Sequence, residues 1–168
     1  MVSYHRCWRP SFFCNRVTRI YITPRLMIIF DRILFRVKQK QLQMQELENI
    51  INAAYEDRSQ LEDKKVQEAV RSVIDMLDKG QIRVAEHIGD EWKVNIWVKK
   101  AISLYFPIQK METIELGPFE FYDKIPLKRN FESAGVRVVP HALARYGCFL
   151  EKGVILMPSY VNLASYVG

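Results

Sequence analysis

Five apolar residues recur at intervals of six over the end of the chain: Leu143, Phe149, Ile155, Val161 and Val167. Four residues after each of the first four stands a small residue: Gly147, Gly153, Ser159 and Ser165. A period of six matches neither the 3.6-residue turn of an α-helix nor the two-residue alternation of a strand. It matches a parallel β-helix of triangular section, in which each six-residue unit supplies one side and three units close a coil of about 18 residues. The apolar member of each unit is expected to point into the narrow core, and the small member to sit at the corner. From Leu143 on, about one and a half such coils are present. Stacked repeats need roughly three units to be stable, and an open end exposes unpaired backbone groups. The chain is therefore expected to be incomplete as a β-helix.

Upstream the periods are different. Leu47, Ile50, Ile51, Ala54 and Tyr55 form one apolar face of a helix expected over 45–58. Val66, Ala69, Val70, Val73, Ile74 and Leu77 repeat the pattern, with Asp63 as a cap and Gly80 as a stop. Ile82 and Val84, then Gly89-Asp90, then Trp92, Val94 and Ile96 predict a β-hairpin. Trp97, Val98, Ala101, Ile102 and Tyr105 return to helical spacing, which Pro107 should end. The stretch 108–136, with Gly117-Pro118, Pro126 and Gly135, reads as irregular.

Charge separates a leader from this body. Residues 1–43 hold nine Arg or Lys against the single acid Asp31, a balance of +8, whereas 44–168 balance at −2. A nearly neutral body offers no broad field for polyphosphate. The leader admits three readings: sequence upstream of the true start, a targeting presequence, or a nucleic-acid-binding arm. The first is favoured, because Met44 opens Met-Gln-Glu-Leu-Glu, with acids in the first turn of a helix. Cys7 and Cys14 lie in the leader and only Cys148 in the body, so no internal disulfide can form there and a reducing compartment is expected. Cys7, Cys14 and His5 lack zinc-site spacing, and no metal is expected. No apolar run has the length of a bilayer span.

Gly135-Val-Arg-Val-Val-Pro140 followed by Gly153-Val-Ile-Leu-Met-Pro-Ser-Tyr-Val-Asn-Leu163 resembles tetrahydrodipicolinate N-succinyltransferase. The likeness extends through Leu77–Glu86, Trp97–Ile102 and Phe121–Pro126, and so covers essentially all of 44–168. It implies an α+β front domain, helices plus a β-hairpin, over 44–136. The first coils of a left-handed parallel β-helix, a truncated hexapeptide repeat, would then occupy 137–168. It also implies a CoA-dependent acyltransferase of lysine and diaminopimelate biosynthesis. Succinyl would pass from succinyl-CoA, a co-substrate with no permanently bound cofactor, to the amine of ring-opened tetrahydrodipicolinate, 2-amino-6-oxopimelate. The family works as a cytoplasmic homotrimer, without nucleic acid or membrane as partner.

Arg137 matches the family's substrate-binding arginine, and a guanidinium grips a carboxylate through two parallel hydrogen bonds. The family's acidic catalytic residue lies beyond Gly168, and its coenzyme A groove is built from later coils, so no catalytic residue is assigned here and the chain itself is expected to be inactive. Ser159 and Ser165 fit corner positions, and Cys148 has no base at a recognisable spacing, so none is taken as a nucleophile. His87 and His141 are read as structural or exposed. Lys128 and Arg129 are read as surface charges, and the segment from Lys128 to Gly135 is shorter than in some members. The competing class is a non-catalytic helical interaction module with a β-helical stub.

Overall fold

The computed structural model describes residues 24–168, with side chains from Arg32 onward. The expectations for His5, Cys7 and Cys14 lie outside the described residues.

The first helix, α1, covers Pro24–Glu56, not 45–58. Between Arg25 and Glu56 there is neither Pro nor Gly, and the segment is rich in Leu, Met, Arg, Lys and Gln, all good helix formers. Pro24 at the first position loses nothing, since its missing N–H would have had no intrahelical partner. Local propensity thus continues the helix upstream of Met44, whereas packing begins near Met44. Residues 32–43 are all exposed, Phe35 by 63%. Ile51 and Ala54 are fully buried, with Met44 and Ile50 packed against the same cluster.

A 3-10 turn, Arg58–Glu62, is capped by Asp57 and leads into α2, Lys64–Asp78, whose N-cap Asp63 accepts from the Lys65 N–H at 2.9 Å. The six apolar residues expected on its inner face are all buried. Five of them, all but Ala69, share one cluster with Val98, Ala101, Leu104 and Tyr105 of α3, Ile96–Ile108. Each fully buried Ile or Leu contributes about 1.5–3 kcal/mol, and this helix pair with α1 forms the main core. Pro107 ends α3 within one residue. A two-stranded antiparallel hairpin, β1 Ala85–Ile88 and β2 Glu91–Val94, lies between α2 and α3. It is shorter than its apolar alternation suggested, and its strand β2 is exposed throughout, Trp92 by 69%.

The stretch 108–136 is not irregular. It holds a second antiparallel hairpin, β3 Glu112–Leu116 and β4 Phe119–Asp123. Its two-residue loop has Gly117 at φ +61 in the first central position, the position where tight hairpin turns need a positive φ. A short helix, α4 Phe131–Ala134, follows.

From Arg137 the chain forms six two-residue strands: β5 Arg137–Val138, β6 Leu143–Ala144, β7 Phe149–Leu150, β8 Ile155–Leu156, β9 Tyr160–Val161 and β10 Tyr166–Val167. They pair in parallel: Arg137 with Ile155, Leu143 with Tyr160, and Phe149 with Tyr166. Each strand meets the one three places later, as a three-sided winding requires. The pairs are separate two-stranded ladders and do not close on one another.

The inward residues differ from expectation. Ala144, Leu150 and Leu156 are buried with Val136, Ala142, Cys148 and Val161, whereas Ile155 is 55% exposed and Leu143 and Phe149 are only half-buried. Leu143-Ala144, Phe149-Leu150 and Ile155-Leu156 are apolar pairs, and neighbours on a strand face opposite ways, so the period of six holds for either member. The corners also shift. Gly147 and Gly153 take positive φ, but Ala164 does so instead of Ser165, because β8 to β9 is one residue shorter than the preceding steps.

Leu163 joins the helical core instead of the coil core. It lies over Gly147, where an added Cβ would stand 2.1 Å from Leu163 Cδ1 and 3.0 Å from Ile74 Cγ2. Gly147 also has φ +86. Gly147→Ala should therefore lower stability by about 2–4 kcal/mol, from left-handed strain and overpacking together. Urea unfolding checks this, and a loss under about 0.5 kcal/mol would mean that α2 and the coil are not in tight contact here.

Candidate functional site

The short parallel strands are fastened to the preceding chain along the segment 126–128. Tyr146 N–H donates to the Pro126 carbonyl at 2.9 Å, and Lys128 N–H to the Ala144 carbonyl at 2.8 Å. Around this antiparallel seam four charged side chains, Asp75, Asp78, Asp123 and Lys128, meet residues 145–148.

Lys128 is not a surface charge. Its ammonium donates to Asp78 Oδ1 at 2.7 Å, the Asp78 carbonyl at 3.1 Å and the Cys148 carbonyl at 2.8 Å. An ammonium has three donors, and all three are used within the protein. Asp78 Oδ1 also accepts from Gly147 N–H at 2.8 Å. The end of α2 is thereby tied to the loop before β7. Beside it, Tyr146 Oη donates to Asp75 Oδ1 at 3.2 Å. Burial, reinforced by Asp75 and Asp78, pushes the Tyr146 hydroxyl up to about 12, so it stays a donor. Arg129, by contrast, is exposed.

Arg137 stands on β5 with its backbone N–H bonded to the Val154 carbonyl at 3.0 Å. Its side chain is exposed, and among the described residues it takes part in no ion pair. Sequence reasoning passed over a second arginine. Arg145, just after β6, is paired with Asp123 at the end of β4 and donates to Asn162 Oδ1 at 3.3 Å. Its guanidinium carbon lies 5.9 Å from the centre of the Tyr160 ring. The signal for this pair was weak, since the two residues are far apart in sequence and only the second hairpin brings Asp123 to the coil.

The groups set aside as nucleophiles are placed as follows. Cys148 is fully buried, and its thiol is pushed up to about 11, chiefly by burial and against the opposing effect of Lys128. Cys148 should therefore react with a thiol reagent at pH 8 only as fast as the protein unfolds. Rapid labelling without denaturant would contradict this placement. Ser159 Oγ donates to the Met157 carbonyl at 2.6 Å, and Ser165 accepts from Phe149 N–H through its backbone. His87 packs edge-on against Trp92, and His141 against Phe119. Among the described residues no group of three or more His, Cys, Asp or Glu could hold a metal ion, and no helix is long and apolar enough to cross a membrane.

Residues 46–108 match the family described as tetrahydrodipicolinate N-succinyltransferase N-terminal. A 2,3,4,5-tetrahydropyridine-2,6-dicarboxylate N-succinyltransferase from Burkholderia cenocepacia is 44% identical, over 73% of this chain and 49% of its own length. One from Paracidovorax citrulli is 48% identical, over 71% of this chain and 47% of its own. The chain thus spans about half the length of the curated relatives it matches. These relatives are named as N-succinyltransferases, and the resemblance read from Gly135–Pro140 and Gly153–Leu163 leads to the same family. The matched family domain includes α2 and α3, the helices that carry Asp78 and the main core.

Proposed function

We propose that this chain is the front part of an enzyme that transfers succinyl from succinyl-CoA to the amine of ring-opened tetrahydrodipicolinate. The observation that carries the reading is the likeness to succinyltransferases at 44–48% identity. The parallel pairing of strands three places apart supports a left-handed β-helix over 137–168, following an α+β domain over 44–136. The exposure of residues 32–43 supports treating 1–43 as a leader apart from the packed body. The enzyme so read is a cytoplasmic homotrimer that uses succinyl-CoA as co-substrate and holds no permanent cofactor.

Arg137 is the substrate-binding residue in this reading. An exposed guanidinium on a strand held by its backbone is positioned without being consumed by an internal partner. The test uses the chain extended to the full length of its relatives. It should release thiol from succinyl-CoA only when the amino-oxo dicarboxylate is present. Arg137→Ala should then raise KM for the dicarboxylate by roughly 10–100-fold, the loss of a charge-assisted contact, and leave succinyl-CoA binding unchanged. An extended form that folds and releases no thiol overturns the function, and an unchanged KM removes Arg137 from the site.

A further inference from the structure

The early part of α1 carries charge and apolar surface that the packed body does not use. From Arg32 to Gln45 there are four basic residues, Arg32, Arg36, Lys38 and Lys40, and no acid. Among the described residues none of these four takes part in an ion pair. Ile33, Leu34 and Val37 are 49–52% exposed. Met44 is the first of the described residues to pack against either apolar cluster. Helix register sorts this stretch into faces. At about 100° per residue, Ile33, Val37 and Leu34 fall within one sector of about 100°. Arg36 and Lys40 lie along one margin of that sector and Lys38 along the other. Phe35 and Leu42 fall on the opposite side. Toward its start the same helix reads Leu26-Met-Ile-Ile-Phe30, so apolar sequence continues upstream.

We propose that this stretch of α1 binds the surface of an anionic lipid bilayer. The helix lies in the plane of the interface, with Ile33, Leu34 and Val37 sunk to the boundary between head groups and acyl chains. Arg36, Lys38 and Lys40 bury their aliphatic stems at the margins and hold their charges among the lipid phosphates. The aliphatic residues decide between a lipid surface and other polyanions. A nucleic acid would take the charges and leave Ile33, Leu34 and Val37 in water, because its phosphate backbone offers them no apolar partner. A second copy of the helix would cover the apolar sector, but it would set basic margins against basic margins with no acid between them. Among the described residues no helix is long and apolar enough to cross a membrane, so the contact is peripheral. The family match begins at residue 46, so this inference is independent of the proposed reaction.

Flotation of the 168-residue chain with lipid vesicles tests it. One set is phosphatidylcholine alone, and in the other a third of the lipid is phosphatidylglycerol. The anionic vesicles should bind about 100-fold or more tightly than the neutral ones, the combined attraction of three or more basic residues. Arg36→Gln/Lys38→Gln/Lys40→Gln should shrink that difference about tenfold or more. Ile33→Gln/Val37→Gln leaves every charge in place and should weaken binding to the anionic vesicles about tenfold or more. Glutamine is a good helix former and both positions are half exposed, so far-ultraviolet dichroism and the urea midpoint should not change. If Ile33→Gln/Val37→Gln binds the anionic vesicles as well as the parent chain does, the attraction is that of a basic tail for any polyanion, and the proposal is overturned. Equal binding to both vesicle types, or to neither, overturns it too. Tighter binding to an RNA oligonucleotide than to the anionic vesicles would assign the segment to nucleic acid and overturn it as well.

Discussion

The 168 residues by themselves should release no thiol from succinyl-CoA above the uncatalysed background, even with the ring-opened acceptor present. In the proposed reading, the groove for coenzyme A is formed by coils beyond those seen here, so the donor has no place to bind. The acidic group that would take the amine proton also belongs to that later part. The geometry adds a third reason. Among the described residues each parallel ladder has only two strands, so β8, β9 and β10 are paired along one edge and meet no strand along the other. Positioning of reacting groups supplies several kcal/mol of barrier lowering, and a sheet edge open to water cannot hold them to the accuracy this needs. The measurement compares this chain with the form extended to the length of its relatives. A similar rate from both would place the active site within the residues described here.

Lys128→Met should cost about 1.5–3 kcal/mol of stability, the usual value of a hydrogen bond to a charged group, since the pair is largely but not wholly buried. Methionine keeps the length and apolar stem of lysine, so the effect isolates the ammonium. Without it, the Asp78 carboxylate retains Gly147 N–H as its remaining contact, in a site where only 20% of its side chain is exposed. The Asp78 and Cys148 carbonyls lose a donor as well. Combining Lys128→Met with Asp78→Asn should cost clearly less than the sum of the two single changes, because the residues are coupled. Urea unfolding of the four proteins gives the numbers. A single-variant loss under about 1 kcal/mol would show that this pair behaves like an exposed one.

These two results depend on different kinds of information. The helical faces of α2 and α3 could be read directly, since a 3.6-residue apolar period needs only a partner surface to be buried. The period of six from Leu143 to Val167 likewise announced short strands at six-residue steps, and parallel pairing three places apart agrees with it. The start of α1 is not legible from the apolar face, because helix propensity continues upstream of the first buried position. The second hairpin is not legible because Gly117-Pro118 reads as loop punctuation, although a glycine with positive φ is what its tight turn requires.

Sequence alone determined the α2–α3 core, the first hairpin and the six-residue spacing of the last strands, because each follows from periodicity and local backbone chemistry. The tertiary structure decided which member of each apolar pair faces inward. Leu150 and Leu156 do, while Phe149 instead covers Gly80, where an added Cβ would stand 2.7 Å from its ring. It also decided that Lys128 is an internal tie and that Asp123 meets Arg145. Lysine and arginine carry the same charge along a sequence. Their roles separate only when the fold determines how many of their donors find partners inside the protein and how many are left for a ligand.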